Sequence, residues 1–201
     1  MAVSTSGRSR ALGRPAATSH AQIEHAAFAL FAQRGFDGTT VDDIAEAVGV
    51  SRRTLFRYFE SKNDIPWGQF DASLAEFGRI LRSFDPDLPL AETVHRSVVR
   101  FNDFDDVALP QHRVRMQLIL DTPALKAHST IKYQQWRAVI VEFVAERTGT
   151  SPYDLAPRTV GHVSLALSIS AYEQWLEHPD RNLTDLLDEA MAGLRAHLGA
   201  P

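Results

Sequence analysis

The residues best equipped for chemistry lie in one nine-residue stretch, Ser51-Arg52-Arg53-Thr54-Leu55-Phe56-Arg57-Tyr58-Phe59. At helical spacing Leu55, Tyr58 and Phe59 share one face and can pack inward, leaving Arg52, Arg53, Thr54 and Arg57 on the outer face. Arginine bonds bidentately to guanine O6 and N7, and threonine bonds a base edge or sets its methyl against thymine. A short helix anchored on one side and armed this way on the other can read double-stranded DNA in the major groove. A solvated basic face on a structural helix would carry the same residues, so the neighbouring pattern must decide.

That pattern is a pair of short helices around a glycine. Thr40 can cap a helix whose buried stripe is Val41, Ile44, Ala45 and Val48, Gly49 offers the positive φ of a tight turn, and Ser51 caps the next helix through Phe59. The spacing is that of a helix-turn-helix. Upstream, Ser19-His20-Ala21-Gln22 has the form of a capping box, Ile23, Ala27, Leu30 and Phe31 follow at helical intervals, and Gly35 and Gly38 close the helix. Ser61 is expected to cap a fourth helix reaching about Phe84, with Pro66 either making its first turn irregular or marking where the helix proper begins. Beyond it, prolines and glycines separate expected helices over about 90–105, 110–121, 123–148, 157–177 and 182–198. No stretch alternates with strand period and no repeat is visible, so the fold class is all-α with about nine helices.

Composition narrows the function. The chain has 201 residues and a net charge of −4, but residues 1–62 carry +2 and residues 63–201 carry −6. A basic head on an acidic body hides an electrostatic footprint inside the average. Zero cysteines exclude thiol catalysis, disulfide scaffolds and zinc ribbons, and no apolar run approaches a membrane span, so the expected location is cytoplasmic, away from membranes. Nucleophile elbows and phosphate-binding glycine loops are missing, and the eight histidines make no i, i+4 pair. Asp103, Asp105 and Asp106 read as a helix end or solvated loop rather than a cation site. Neither an enzyme, a metal nor a cofactor is expected.

The stretch Ala26 to Lys62 resembles the DNA-binding domain of the TetR family of bacterial repressors. The resemblance is carried by Phe31-Ala32-Gln33-Arg34-Gly35-Phe36, Thr39-Thr40-Val41-Asp42-Asp43-Ile44-Ala45, Val48-Gly49-Val50-Ser51-Arg52, Thr54-Leu55-Phe56-Arg57-Tyr58-Phe59 and Ser61-Lys62. It implies a helix-turn-helix domain over 18–62 and a ligand-binding and dimerisation domain over 63–201; residues 1–17, rich in Ser, Gly, Arg and Ala and without hydrophobic period, read as a disordered basic arm ahead of them. The resemblance also implies that Thr40 and Lys62 meet phosphates, while Arg52, Arg53, Thr54 and Arg57 lie at the DNA face. Phe56 stands where the family usually has tyrosine, and so offers apolar contact or packing. Arg8, Arg10 and Arg14 either enter an adjacent minor groove or remain a free tail.

A narrower resemblance comes from Ser61-Lys62-Asn63-Asp64-Ile65-Pro66-Trp67-Gly68, Arg113 to Leu125 and Ala171-Tyr172-Glu173-Gln174-Trp175-Leu176, which are similar to the TetR-type regulators that accompany mycofactocin biosynthesis genes. It implies a lipophilic effector such as a long-chain acyl-CoA; the alternative within the family is a repressor of an efflux or catabolic gene sensing an unrelated hydrophobic molecule. Gly161, Ser164, Ser168 and Ala171 form a small-residue stripe that would let the last two helices build half of a two-fold bundle, giving a homodimer on a pseudo-palindromic operator. Candidate cavity residues are Phe70, Leu74, Phe77, Phe101, Phe104, Leu118, Trp136 and Phe143, with Asn102, Gln117, Gln134 and Gln135 as polar groups. Arg113, Arg115, Lys126 and Lys132 are cations available at its mouth.

Overall fold

The structure is a computed structural model that describes residues 18–199, with side chains as far as Gly193. The expected arm over 1–17 lies outside the described residues. Nine α-helices and one 3-10 segment make up the described chain, with no strand among them. They are α1 (His20–Arg34), α2 (Val41–Ala47), α3 (Arg52–Leu55), the 3-10 segment Lys62–Trp67, α4 (Phe70–Arg82), α5 (Leu90–Phe101), α6 (Leu109–Asp121), α7 (Pro123–Thr148), α8 (Leu155–Glu177) and α9 (Leu183–Gly199). Polar caps set the first starts: Ser19 and Gln22 form a capping box on α1, and Thr40 and Asp43 form one on α2.

Two expected helices are shorter than their sequence pattern. After Leu55 the chain continues in tight turns, with Arg57 N–H bonding Thr54 O at 3.1 Å and Tyr58 N–H bonding Leu55 O at 2.9 Å. The fourth helix does not run from Ser61 to Phe84. Pro66 lies inside a 3-10 segment that ends at Trp67, Gly68 turns the chain at φ 58°, and α4 starts at Phe70. Gly68 has a second reason to lack a side chain: a Cβ there would lie 3.0 Å from Glu24 Oε2 and 3.1 Å from an Arg115 nitrogen.

Two apolar cores result. In the body α4, α5, α7, α8 and α9 enclose Phe77, Val98, Ile140, Trp175 and Leu187. In the head Ile23, Ile44, Leu55 and Phe59 pack with Ile65 of the 3-10 segment, and the core is completed by Ile119 of α6 and Leu125 of α7. The head therefore buries part of its apolar surface against the body, which fixes its placement far more firmly than a linker would.

The small-residue stripe of α8 faces inward. Gly161, Ser164, Ser168 and Ala171 are all buried within the chain, and a Cβ on Gly161 would approach Val141 Cγ2 to 2.8 Å. It lets α8 lie close against α7 of its own chain. The sequence reading of this stripe as the face toward a second copy is corrected accordingly.

Candidate nucleic-acid interface and effector cavity

Gly49, at φ 69°, turns the chain between α2 and α3, and Val50 N–H returns to Ala45 O at 2.9 Å. Ser51 caps α3: its hydroxyl accepts from Thr54 N–H at 3.1 Å and lies 2.9 Å from the Thr54 hydroxyl. Leu55 and Phe59 are buried beneath and Tyr58 is half-buried, so the inward face is the expected one. Tyr58 also donates its hydroxyl hydrogen to Thr18 O at 2.5 Å, fixing the start of α1 beside α3.

The outward side chains differ in how free they are. Arg53 and Arg57 are exposed and have no partner among the described residues. Arg52 lies 3.6 Å from Asp42 and 5.5 Å from the centroid of the Phe56 ring, which is itself 39% exposed. Thr54 is half-buried and engaged with Ser51. Thr40 is more committed than its sequence role suggested. Its hydroxyl donates to Asp43 Oδ2 at 2.5 Å and accepts from Asp43 N–H at 3.1 Å; that donation, with the Thr40 N–H donating to the same carboxylate oxygen at 2.7 Å, holds the Asp43 carboxyl below its usual range. Lys62 departs furthest from expectation. It opens the 3-10 segment rather than α4, donates to Phe36 O at 2.8 Å and Thr39 O at 2.9 Å, and sits 4.2 Å from the Phe36 ring centroid. Two of its three N–H groups clamp the turn between α1 and α2.

Between head and body lies a mostly apolar cavity of about 370 Å³. It is walled by Trp67 and Phe70 at the joint, Phe101 at the end of α5 and Phe104 beyond it, Met116 and Leu120 of α6, Trp136 of α7 and Leu165 of α8. Four of the aromatic residues expected from sequence line it: Phe70, Phe101, Phe104 and Trp136. Phe77 and Phe143 belong to the body core, Leu118 packs on the head core, and Leu74 lines a separate surface groove. Asn102 lines the cavity, whereas Gln117, Gln134 and Gln135 are exposed. Of the cations only Arg115 reaches the wall. Arg113 stacks over Trp175 with its guanidinium carbon 3.9 Å from the ring centroid, Lys132 pairs with Asp64 at 2.9 Å, and Lys126 is exposed.

The cavity's polar side is a hydrogen-bonded chain that sequence reasoning missed. Tyr172 donates to Asn102 Oδ1 at 2.6 Å, and the His112 Nε2 lies 2.8 Å from the Tyr172 oxygen. With the phenol hydrogen directed at Asn102, His112 must donate from Nε2. Burial, and then the Arg115 charge, push the His112 pKa from 6.5 down to about 3, so the ring is neutral near pH 7. Burial likewise raises the Tyr172 hydroxyl. The available signal was spacing: His112, Arg115, Met116 and Ile119 recur at i, i+3, i+4 and i+7 on one face of α6.

Comparison with known proteins agrees with both halves. Residues 23–65 match the family described as bacterial regulatory proteins, tetR family, and residues 88–199 match the MftR C-terminal domain. A Mycobacterium tuberculosis protein provisionally named mycofactocin biosynthesis transcriptional regulator MftR is 43% identical over 179 residues, covering 89% of this chain and 90% of its own. The HTH-type transcriptional regulator TcmR of Streptomyces glaucescens is 28% identical over 189 residues, 89% of this chain and 84% of its own. Among solved structures, SmeT, the repressor of the Stenotrophomonas maltophilia multidrug efflux pump SmeDEF, superposes with a TM-score of 0.59 at 16% identity, covering 90% of each chain. Thermus thermophilus FadR, a TetR-family repressor solved with lauroyl-CoA, gives 0.52 at 21% identity, covering 88% of this chain and 96% of its own. At those identities the structures speak for the fold alone. The family matches and the near full-length relative do more: this chain belongs to the TetR family of bacterial transcriptional regulators, with a body of the MftR C-terminal type, and its role is regulatory rather than enzymatic.

Proposed function

We propose that the protein is a homodimeric repressor that binds a pseudo-palindromic DNA site, regulates nearby genes, those of mycofactocin biosynthesis foremost, and is released by a lipophilic effector. The observation that carries the DNA half is a pair of exposed arginines without partners among the described residues, Arg53 on α3 and Arg57 in the tight turn that follows it, both beyond the Gly49 turn. They meet base edges, Phe56 makes apolar contact beside them, and Arg52 and Thr54 support them at the groove. Thr40 contributes through the amino end of α2, where backbone N–H groups and the helix dipole favour phosphate. The gene assignment rests on the 43% identical relative.

Dimerisation is assigned to the outer faces of α8 and α9. Residues 159–172 of α8 contain no charged side chain, although Thr159, His162, Ala166 and Ser170 point outward and are exposed. A solvated helix face normally carries charge, so an uncharged one more than ten residues long fits a second copy of the chain. A two-fold dimer presents one recognition helix per half-site, about 10 bp apart or a multiple of that.

The effector half rests on the cavity. An engineered apolar cavity of about 150 Å³ admits benzene, and this one, at about 370 Å³, has room for a longer aliphatic segment. A long-chain acyl-CoA fits this reading, with its tail inside and the nucleotide outside. Competition titration of the protein–operator complex with acyl-CoAs of increasing chain length, against free CoA, tests it. Release that grows with chain length supports the reading; saturating ligand without any loss of DNA affinity rejects it.

A further inference from the structure

Two opposite charges stand in the wall of this mostly apolar cavity, and they come from different halves of the molecule. Glu24 belongs to α1 in the head and Arg115 to α6 in the body; both line the cavity. Arg115 donates to Glu24 Oε2 at 2.7 Å and to the carbonyl of Pro66, at the joint, at 2.5 Å. Their side chains retain only 12% and 19% exposure, so water screens the pair weakly. A guanidinium has five N–H donors, and these two bonds leave three of them for another acceptor.

We propose that Arg115 is the specificity-determining residue of the effector site and that Glu24 is the group an effector displaces from it. The ligand class is an apolar chain ending in an acyl oxygen, either a carboxylate or a thioester carbonyl. This rests on the reading of the cavity as the effector site and adds what the ligand's head must do there. The acyl oxygen takes the guanidinium, and the Glu24 carboxylate, now beside a competing acceptor and without its full partner, moves toward water. Because Glu24 is anchored in α1, its departure unties the head from α6 at a joint that Gly68 already leaves without a side chain. A purely apolar occupant makes the same contacts whether or not Glu24 is paired. It therefore fills the cavity without shifting the head, since only a differential interaction moves an equilibrium.

The test uses the full chain and three probes that share a twelve-carbon tail: dodecanoate, lauroyl-CoA and 1-dodecanol, with affinities measured by calorimetry. Glu24→Gln, which keeps the shape and removes the charge, is expected to bind an acyl probe about fivefold or more tightly than the wild type, while dodecanol changes less than about twofold. Arg115→Gln is expected to lose the preference for acyl probes over dodecanol. The double variant Glu24→Gln/Arg115→Gln, which leaves no unpaired charge, is expected to show the same loss and covers the case in which Arg115→Gln does not fold. A gain confined to dodecanoate makes the head a free acid, and one confined to lauroyl-CoA makes it a thioester; either supports the proposal. If all three probes bind the wild type and neither single variant alters their ranking, the Arg115–Glu24 mechanism is wrong and the cavity reading stands. If none binds the wild type, the cavity reading falls and this inference falls with it.

Discussion

Lys62 Nζ donates to the carbonyl oxygen of Thr39 at 2.9 Å, tying the first residue of the 3-10 segment to the residue before the α2 cap. With the second bond to Phe36 O, one ammonium gathers two carbonyls that no helix satisfies, and it holds the joint segment against the head. The lysine that sequence reasoning aimed at a phosphate is thus a clamp inside the domain that carries Arg53 and Arg57.

Lys62→Ala should therefore destabilise the protein by about 1–3 kcal/mol, the range for hydrogen bonds to a charged donor with partners left unsatisfied. Thermal melting reads this loss. The salt dependence of DNA binding should keep nearly its wild-type slope, because a residue engaged inside the head releases no counterion. A slope reduced by about one unit would make Lys62 a phosphate contact instead.

Arg53→Ala should cost about 1–3 kcal/mol at the cognate site and relax base preference at one position per half-site, as expected for a lost bidentate pair. Binding to a panel of single-base operator variants measures it. An equal loss on every sequence would remove Arg53 from base reading.

Two substitutions on α8 separate packing within the chain from pairing between chains. Gly161→Ala places a methyl 2.8 Å from Val141 Cγ2 and should destabilise the chain by about 1–3 kcal/mol through overpacking. Ala166→Glu lies on the exposed, uncharged face and should shift sedimentation toward monomer while changing the monomer fold little. A dimer undisturbed by Ala166→Glu would place the interface elsewhere.

His112 makes a pH prediction with a definite sign. Burial and Arg115 depress its folded pKa to about 3, while the unfolded chain takes the proton near 6.5. Below that value the unfolded state binds more protons, so stability is full above about pH 6.5 and declines as pH falls toward 3. His112→Gln lacks this proton-linked loss. Its melting temperature should gain on the wild type as pH is lowered from 7 to 5; a constant difference would mean that the folded and unfolded chains protonate His112 at the same pH.

Most element positions were legible because the chain marks its boundaries chemically. Ser19, Thr40 and Ser51 cap where their types predict, and Pro123 sits at the first turn of α7. The break in the fourth helix was only half legible: Pro66 marked an irregular or delayed start, but Ser61 looks like a cap. Its hydroxyl bonds the Asp64 side chain instead and makes no cap to the backbone, and Gly68 carried the real signal. Periodicity found the small stripe on α8 but could not say which neighbour it faces, since a close approach within the chain and one between chains require the same glycine and serines. The cavity was half legible for a related reason. Aromatic spacing shows that Phe70 and Phe77 turn inward, whereas only packing shows that Phe70 borders open space and Phe77 does not. Arg115 and Glu24, 91 residues apart, meet only in the folded chain.

The central claim is that the Gly49 turn presents Arg53 and Arg57 to a specific two-fold DNA site. The most direct measurement is the affinity of the full chain for duplex from the control region of its own gene and for a scrambled duplex of equal length, each at 50 and 200 mM salt. The account predicts that both affinities fall steeply with salt and that the native duplex binds about 10³-fold or more tightly than the scrambled one. Equal affinity for the two duplexes, or no binding to either at the lower salt, would contradict it.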